Sequence, residues 1–273
     1  MSRIGKCLLC LNDTAELCRG HFFPAAAYRI IRDEAIRSGW SKNPNPVRMT
    51  DLSAVQTSSQ YVTYLLCHCC EQRFSAKGEE WVLQHCWRGK SFHLSSLVAR
   101  AKPSLTSPVA SVYDAAGISG IDIPALTYFA ASMYWRAAIH NWSGRSIEPA
   151  IDLGPYGEEL RRYLTGIAEF PENCILLVVL PTHNSEFVKL MMHPYPTRTH
   201  GFRVYTMPFL GISFSLYVGR QTPHDWREAD FVRGAGNPII VASHFEDWFR
   251  HDLALLFGGE NRALSMLDKI ERQ

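Results

Sequence analysis

Cys7-Leu8-Leu9-Cys10 and, with 56 residues between Cys10 and Cys67, Leu65-Leu66-Cys67-His68-Cys69-Cys70-Glu71 are the stretches on which the reading of this chain turns. A Cys-x-x-Cys turn delivers two thiolates from one tight knuckle, and two such turns close a tetrahedral shell around Zn²⁺. Cys7, Cys10, Cys67 and Cys70 are therefore the expected ligands of a structural zinc. Seven of the eight cysteines fall within the first 86 residues. With no export leader at the N-terminus, that clustering favours metal over disulfides. A redox Cys-x-x-Cys would explain one pair and leave the other without a reason. Two variants of the shell stay open: His68 or Cys69 could substitute within the second pair, and Cys18-Arg19-Gly20-His21 could complete a compact finger with Cys7 and Cys10.

Outward from these pairs the organisation follows from punctuation. AAAYRIIRDEAIRSG after Pro24 predicts a short helix stopped at Gly39. The Pro-, Asn- and Ser-rich run over about 40–60 predicts a loop insertion. The β-branched and aromatic YVTYLLC predicts a strand that leads through the second Cys pair into a helix. Lys102-Pro103 to Pro108 reads as a linker. Beyond it, Asp122 and Pro124 start a long buried helix ending near Ser143-Gly144, and PYGEELRRYLTGIAEF gives a second helix running to Pro171. Residues 174–180, 186–192, 202–209 and 212–218 read as strands, and residues 243–257 and 260–271 as closing helices. The fold class is α+β: a zinc-bound module over residues 1–104, then an antiparallel sheet packed with helices over residues 105–273, whose role no motif identifies.

Composition bounds the function. The chain has 273 residues, 47% hydrophobic and 20% charged, with no low-complexity tract and no apolar run of membrane-spanning length. The apolar stretch at the N-terminus is too short for a signal peptide, so the expected location is cytoplasmic, away from any membrane. The net charge of +2 hides an asymmetry: residues 1–104 carry 14 Lys+Arg against 8 Asp+Glu, and residues 105–273 carry 14 against 18. A basic half beside an acidic half suits a nucleic-acid-facing module joined to a partner with other work. No P-loop, dinucleotide fingerprint or Gly-x-Ser-x-Gly elbow is present. Trp135-Arg136 and Arg161-Arg162 read as a core Trp and salt-bridged helix charges, or as an inner surface or partner contact.

Cys7-Leu-Leu-Cys10, ten residues, His21-Phe-Phe-Pro24, a loop, and then Cys67-His-Cys-Cys70 followed at once by Glu71 together resemble the cysteine-bearing HNH (ββα-metal, treble-clef) endonucleases. The resemblance covers residues 7–81. Two positions depart from the family pattern: Gly20 stands where an acid usually precedes the histidine, and Glu71 where Asn usually follows the second Cys pair. The resemblance implies hydrolysis of phosphodiester bonds, with His21 taking a proton from water and Glu71 holding a Mg²⁺ or Mn²⁺ ion. Glu79, eight residues along the same helix, shares the face of Glu71 if that helix is unbroken. Arg29, Arg32, Arg73 and Lys77 would hold a nucleic-acid backbone, DNA in preference to RNA, and bacterial defence or mobile-element biology is the implied setting. Residues 105–273 would then serve a protein partner or self-association. Each assignment has a plainer counterpart: a core histidine at His21, a helix-start acid at Glu71, a solvated Glu79 and an exposed arginine face. With those counterparts the module is a non-catalytic zinc adaptor for protein or nucleic acid.

Overall fold

The computed structural model describes residues 3–39, 45–49, 54–142, 151–182, 186–199, 202–221, 224–245, 247 and 250–251. The first half opens with strands β1 (Arg3–Gly5) and β2 (Ala15–His21), paired antiparallel, and the helix α1 (Ala25–Ser38). Gly39 ends α1 in the left-handed region at φ 63°, which a residue without Cβ adopts at no steric cost. The segment expected as a plain loop contains a two-stranded ribbon, β3 (Val47–Met49) with β4 (Ala54–Gln56). Its strands are three residues each, too short for their alternation to stand out among the flanking Pro and Ser. Strand β5 (Val62–Cys67) pairs with β2, and the sheet order is β1-β2-β5.

From Cys67 the chain enters helix α2 (His68–Phe74), passes through a π-helical turn at Ser75–Glu79, and continues as α3 (Glu80–His85). The hairpin β6 (Trp87–Arg88) with β7 (Ser91–Phe92) and the short helix α4 (His93–Val98) complete this half. Strand β8 (Leu105–Thr106) lies inside the expected linker and pairs with β9 (Ala110–Asp114). Helix α5 (Ile123–Ile139) begins as expected, with the Asp122 carboxylate accepting from the Ala125 N–H and Pro124 in the first turn. It ends four residues earlier than the sequence suggested, where His140 turns extended. Residues Ala125–Ala137 are all buried, so this helix is core around its full circumference. Helix α6 (Tyr156–Thr165) is stopped by Gly166 at φ 78°, before the stop expected at Pro171.

The rest is sheet: β10 (Cys174–Pro181), β11 (Tyr195–Thr199), β12 (Phe202–Phe209), β13 (Ile212–Val218), the short helix α7 (His224–Glu228) and β14 (Pro238–Ala242). With β8 and β9 they form a seven-stranded sheet in the order β11-β12-β13-β10-β14-β9-β8. The sheet is antiparallel except at β10–β14, which is parallel, so the expected antiparallel sheet is mixed. The strand expected at 186–192 is absent. Glu186–Lys189 makes a 3₁₀ turn, and the edge strand follows at Tyr195–Thr199, where an edge accommodates Pro196. The closing helices expected over 243–257 and 260–271 fall largely outside the described residues. Among the described residues, no helix is long and apolar enough to cross a membrane.

One apolar cluster runs from Cys7, Leu9 and Phe22 through Phe74 to Trp135, Phe214 and Ile239, without a break at residues 102–108. At Gly78 the two halves of this core approach closely. A Cβ there would lie 2.8 Å from the Phe129 backbone nitrogen, because the π turn presses on α5. Overpacking of this kind costs roughly 1–3 kcal/mol. Gly78→Ala should therefore lower the unfolding free energy by that amount and shift the urea midpoint downward, and an unchanged midpoint would show that the two helices can part freely.

Candidate metal centre and adjoining crevice

The zinc-type ligands come together as their spacing requires. The Sγ atoms of Cys7, Cys10, Cys67 and Cys70 all lie within 4.8 Å of one another, and Cys10 to Cys67 is 3.9 Å. A tetrahedron with Zn–S bonds of about 2.3 Å has edges of about 3.8 Å, so the set fits the ion. All four cysteines are free of disulfides. The first knuckle is closed by the Leu11 N–H donating to the Cys7 carbonyl and the Cys7 N–H to the Asn12 carbonyl, with Leu11 at φ 62°. The second pair straddles the start of α2, where the helix dipole favours thiolates. The Cys67 N–H donates to Cys7 Sγ at 3.4 Å. The chemistry of the set agrees: a hydrogen bond with Cys70 holds the Cys7 thiol down to about 4, and the same contact pushes Cys70 up. Four thiols this close cannot all ionise without a cation among them.

This arrangement decides between the open ligand sets. Cys18 stands outside the cluster and its thiol donates to the Leu66 carbonyl. His21 is likewise outside, as are the exposed His68 and Cys69. Arg161 of α6 braces the knuckle by donating to the Leu9 carbonyl at 2.7 Å.

Beside the metal centre, Gly20, His21, Thr63, Leu65, Leu66, Glu71, Trp135, Arg136, Ile139 and Trp142 line one crevice, too narrow to hold a water-sized sphere. β2 delivers His21 just past an irregularity in its pairing with β5, between Cys18 and Gly20. Such bulges re-aim side chains. Glu71 enters from the first turn of α2. A Cβ placed on Gly20 would sit 2.1 Å from Glu71 Oε1. The absence of a side chain at Gly20 thus opens the space that the Glu71 carboxylate fills. Burial, reinforced by Glu79 and Cys7 and opposed by Arg136, raises the Glu71 pKa above the usual carboxylate value. The His21 pKa is lowered, first by burial and then by Arg19 and Arg136, with Glu79 opposing. Its imidazole is accordingly neutral at neutral pH, the form a base requires.

Eight residues of regular α-helix would rotate Glu79 about 80° away from Glu71. The π turn takes more residues per turn and removes part of that offset. Glu79 meets Arg136, whose Nη2 donates to Glu79 Oε1 at 2.5 Å, while Nη1 donates to the Phe22 carbonyl at 2.8 Å and the His21 carbonyl at 3.3 Å. Sequence reasoning read Arg136 as a salt-bridged helix charge, or as part of an inner surface or partner contact, and the salt bridge is present, to Glu79. Its partners are 57 and 115 residues away, and no local pattern announces them.

The expected nucleic-acid contacts separate into two places. Arg29 and Arg32 are exposed on α1. Arg73 donates to the Thr165 carbonyl at 2.6 Å, at the end of α6. Lys77 lies 5.6 Å from the Tyr128 ring and lines an open groove with Pro124, Tyr163 and residues 166–169. Neither Arg73 nor Lys77 lines the crevice that holds His21 and Glu71. Comparison with protein-family models, curated proteins and solved structures returned no match.

Proposed function

We propose that this chain is a metal-dependent, HNH-like endonuclease acting on the phosphodiester bonds of nucleic acid, DNA in preference to RNA. The observation that carries the reading is the coincidence at Gly20. The acid missing before the histidine is replaced in space by the Glu71 carboxylate, in the same crevice as a neutral imidazole. In this reading a water molecule attacks phosphorus and His21 takes its proton, while the P–O bond to the departing sugar oxygen breaks. When bound, Mg²⁺ or Mn²⁺ supplies charge stabilisation on phosphorus and on the leaving oxygen. Glu71 is the residue to hold it, with Glu79 as the neighbouring carboxylate. The zinc is structural: it pins the end of β5 and the start of α2, and so fixes where Glu71 stands relative to β2.

The test is cleavage of plasmid DNA by the full chain with Mn²⁺ or Mg²⁺, inhibited by EDTA at concentrations that leave the tightly held zinc in place. Cleavage unaffected by removing the divalent ion would refute the mechanism. Binding gives a separate expectation. Affinity for DNA should fall steeply between about 50 and 200 mM salt, because it rests on phosphate contacts. The double variant Arg29→Ala/Arg32→Ala should flatten the log–log salt slope by about 2. An unaltered slope would move the interface off α1.

One observation favours the second reading, a non-catalytic zinc adaptor: the crevice leaves no room for a water-sized sphere. In that reading the same fold presents α1 to a nucleic acid or protein, and the crevice is only packing.

A further inference from the structure

Among the described residues Arg136 is the only lysine or arginine that is buried, at 2% exposure. A guanidinium removed from water to that degree is tolerated only with its charge compensated and its donors engaged. Here the compensation comes from the other half of the chain. Glu79, 15% exposed, supplies the anion. The carbonyls of His21 and Phe22 take Nη1, and the Phe74 ring lies against the guanidinium plane, 4.5 Å from centroid to Cζ. The planar fork of arginine reaches a carboxylate and two carbonyls at once. Nε of Arg136 has no hydrogen-bond partner. The guanidinium is therefore held by Glu79 and by the end of β2, with the Phe74 ring and Met133 Sδ packed against it.

Glu71, Glu79 and Arg136 bring two negative charges and one positive charge to the neighbourhood of one crevice. Without the arginine, two carboxylates would remain there, which is the charge that a divalent cation balances. With it, Glu79 already has its cation. We propose that Arg136 is a positioning residue: it withholds Glu79 from a divalent ion at Glu71 while tying down the backbone that carries His21. The inference rests on the nuclease reading in taking Glu71 as the cation's first ligand. In this state a metal meets one carboxylate, and Glu79 joins only when the guanidinium lets go. The C-terminal half thereby controls the site through a single side chain of α5.

The experiment is equilibrium Mn²⁺ binding, read by the electron paramagnetic resonance of the free ion, on the full chain and its variants, alongside plasmid cleavage. Arg136→Gln keeps an N–H for the Phe22 carbonyl and removes the charge. It should bind Mn²⁺ at least tenfold more tightly than the parent protein, and Arg136→Gln/Glu79→Gln should lose that gain. Cleavage per bound ion should fall in Arg136→Gln, because the His21 backbone is no longer clamped. A purely structural arginine would lower thermal stability and leave Mn²⁺ affinity unchanged. That result, in a variant that retains its zinc and circular dichroism, overturns the proposal. Should Arg136→Gln lose zinc, Arg136→Met carries the test: it removes the charge while filling much of the same space, and a gain under threefold counts against the inference. The nuclease reading fails separately. If the Mn²⁺ gain appears and no protein cleaves DNA, Arg136 keeps its role and the hydrolytic assignment falls. If no variant binds Mn²⁺, both fall.

Discussion

Cys67→Ser should strip the protein of its zinc and unfold the first half of the chain. Cys67 sits where β5 becomes α2, so its thiolate ties a sheet strand, a helix start and the distant Cys7–Cys10 knuckle to one ion. In small zinc modules metal binding and folding are one event, with apparent binding free energies of about 10–16 kcal/mol. Losing one of four thiolates removes enough of that to leave the module without a stable fold. Because the core is continuous from Cys7 to the large sheet, the damage should extend past residue 104 and appear as insolubility or a collapse of the melting transition. Metal analysis of the parent protein should give about one zinc per chain, and of the variant close to none. Cys18→Ser supplies the internal control. Its thiol only donates to the Leu66 carbonyl, a bond the serine hydroxyl can also make, so zinc content should hold and stability should change little. Equal zinc content in Cys67→Ser and the parent would mean the ligand set is wrong.

His21→Ala should reduce metal-dependent cleavage by about 10²–10⁴ and leave zinc untouched. The separation is possible because His21 is outside the thiolate cluster. In the parent protein the acid limb of the pH–rate profile should lie below the ordinary imidazole value, since burial and the neighbouring Arg19 and Arg136 lower the His21 pKa. A base with a lowered pKa stays neutral, and so active, to lower pH before protonation removes it. Cleavage by His21→Ala at the parent rate would transfer the chemistry elsewhere in the molecule.

What could be read from the sequence was whatever is written locally. The Cys-x-x-Cys turns, the Gly39 stop and the Asp122–Pro124 helix start each carry their cause within a few residues, and each appears in the fold. What could not be read is set by contacts over long separations. The π turn at Ser75–Glu79 has no signature of its own beyond Gly78, whose small size matters only because α5 presses against it. Gly20 looked like the loss of an acid, and its purpose is visible only once Glu71 is seen to occupy the space above it. Arg136 read as a helix charge because nothing near it in sequence says that it will meet Glu79 and the end of β2. The edge strand at Tyr195–Thr199 was hidden by Pro196, which an edge permits and a central strand does not. The lesson of the candidate site is similar: its residue types were legible, and its closed geometry and the cation inside it were not.

The most direct test of the account is an anomalous-scattering map from crystals of the full chain soaked in Mn²⁺. The account predicts a zinc peak at the centre of Cys7, Cys10, Cys67 and Cys70, with Zn–S distances of about 2.3 Å, and a separate manganese peak beside the Glu71 carboxylate on the side facing His21. Disulfides in place of the zinc, or no manganese at Glu71 at saturating Mn²⁺, would contradict it.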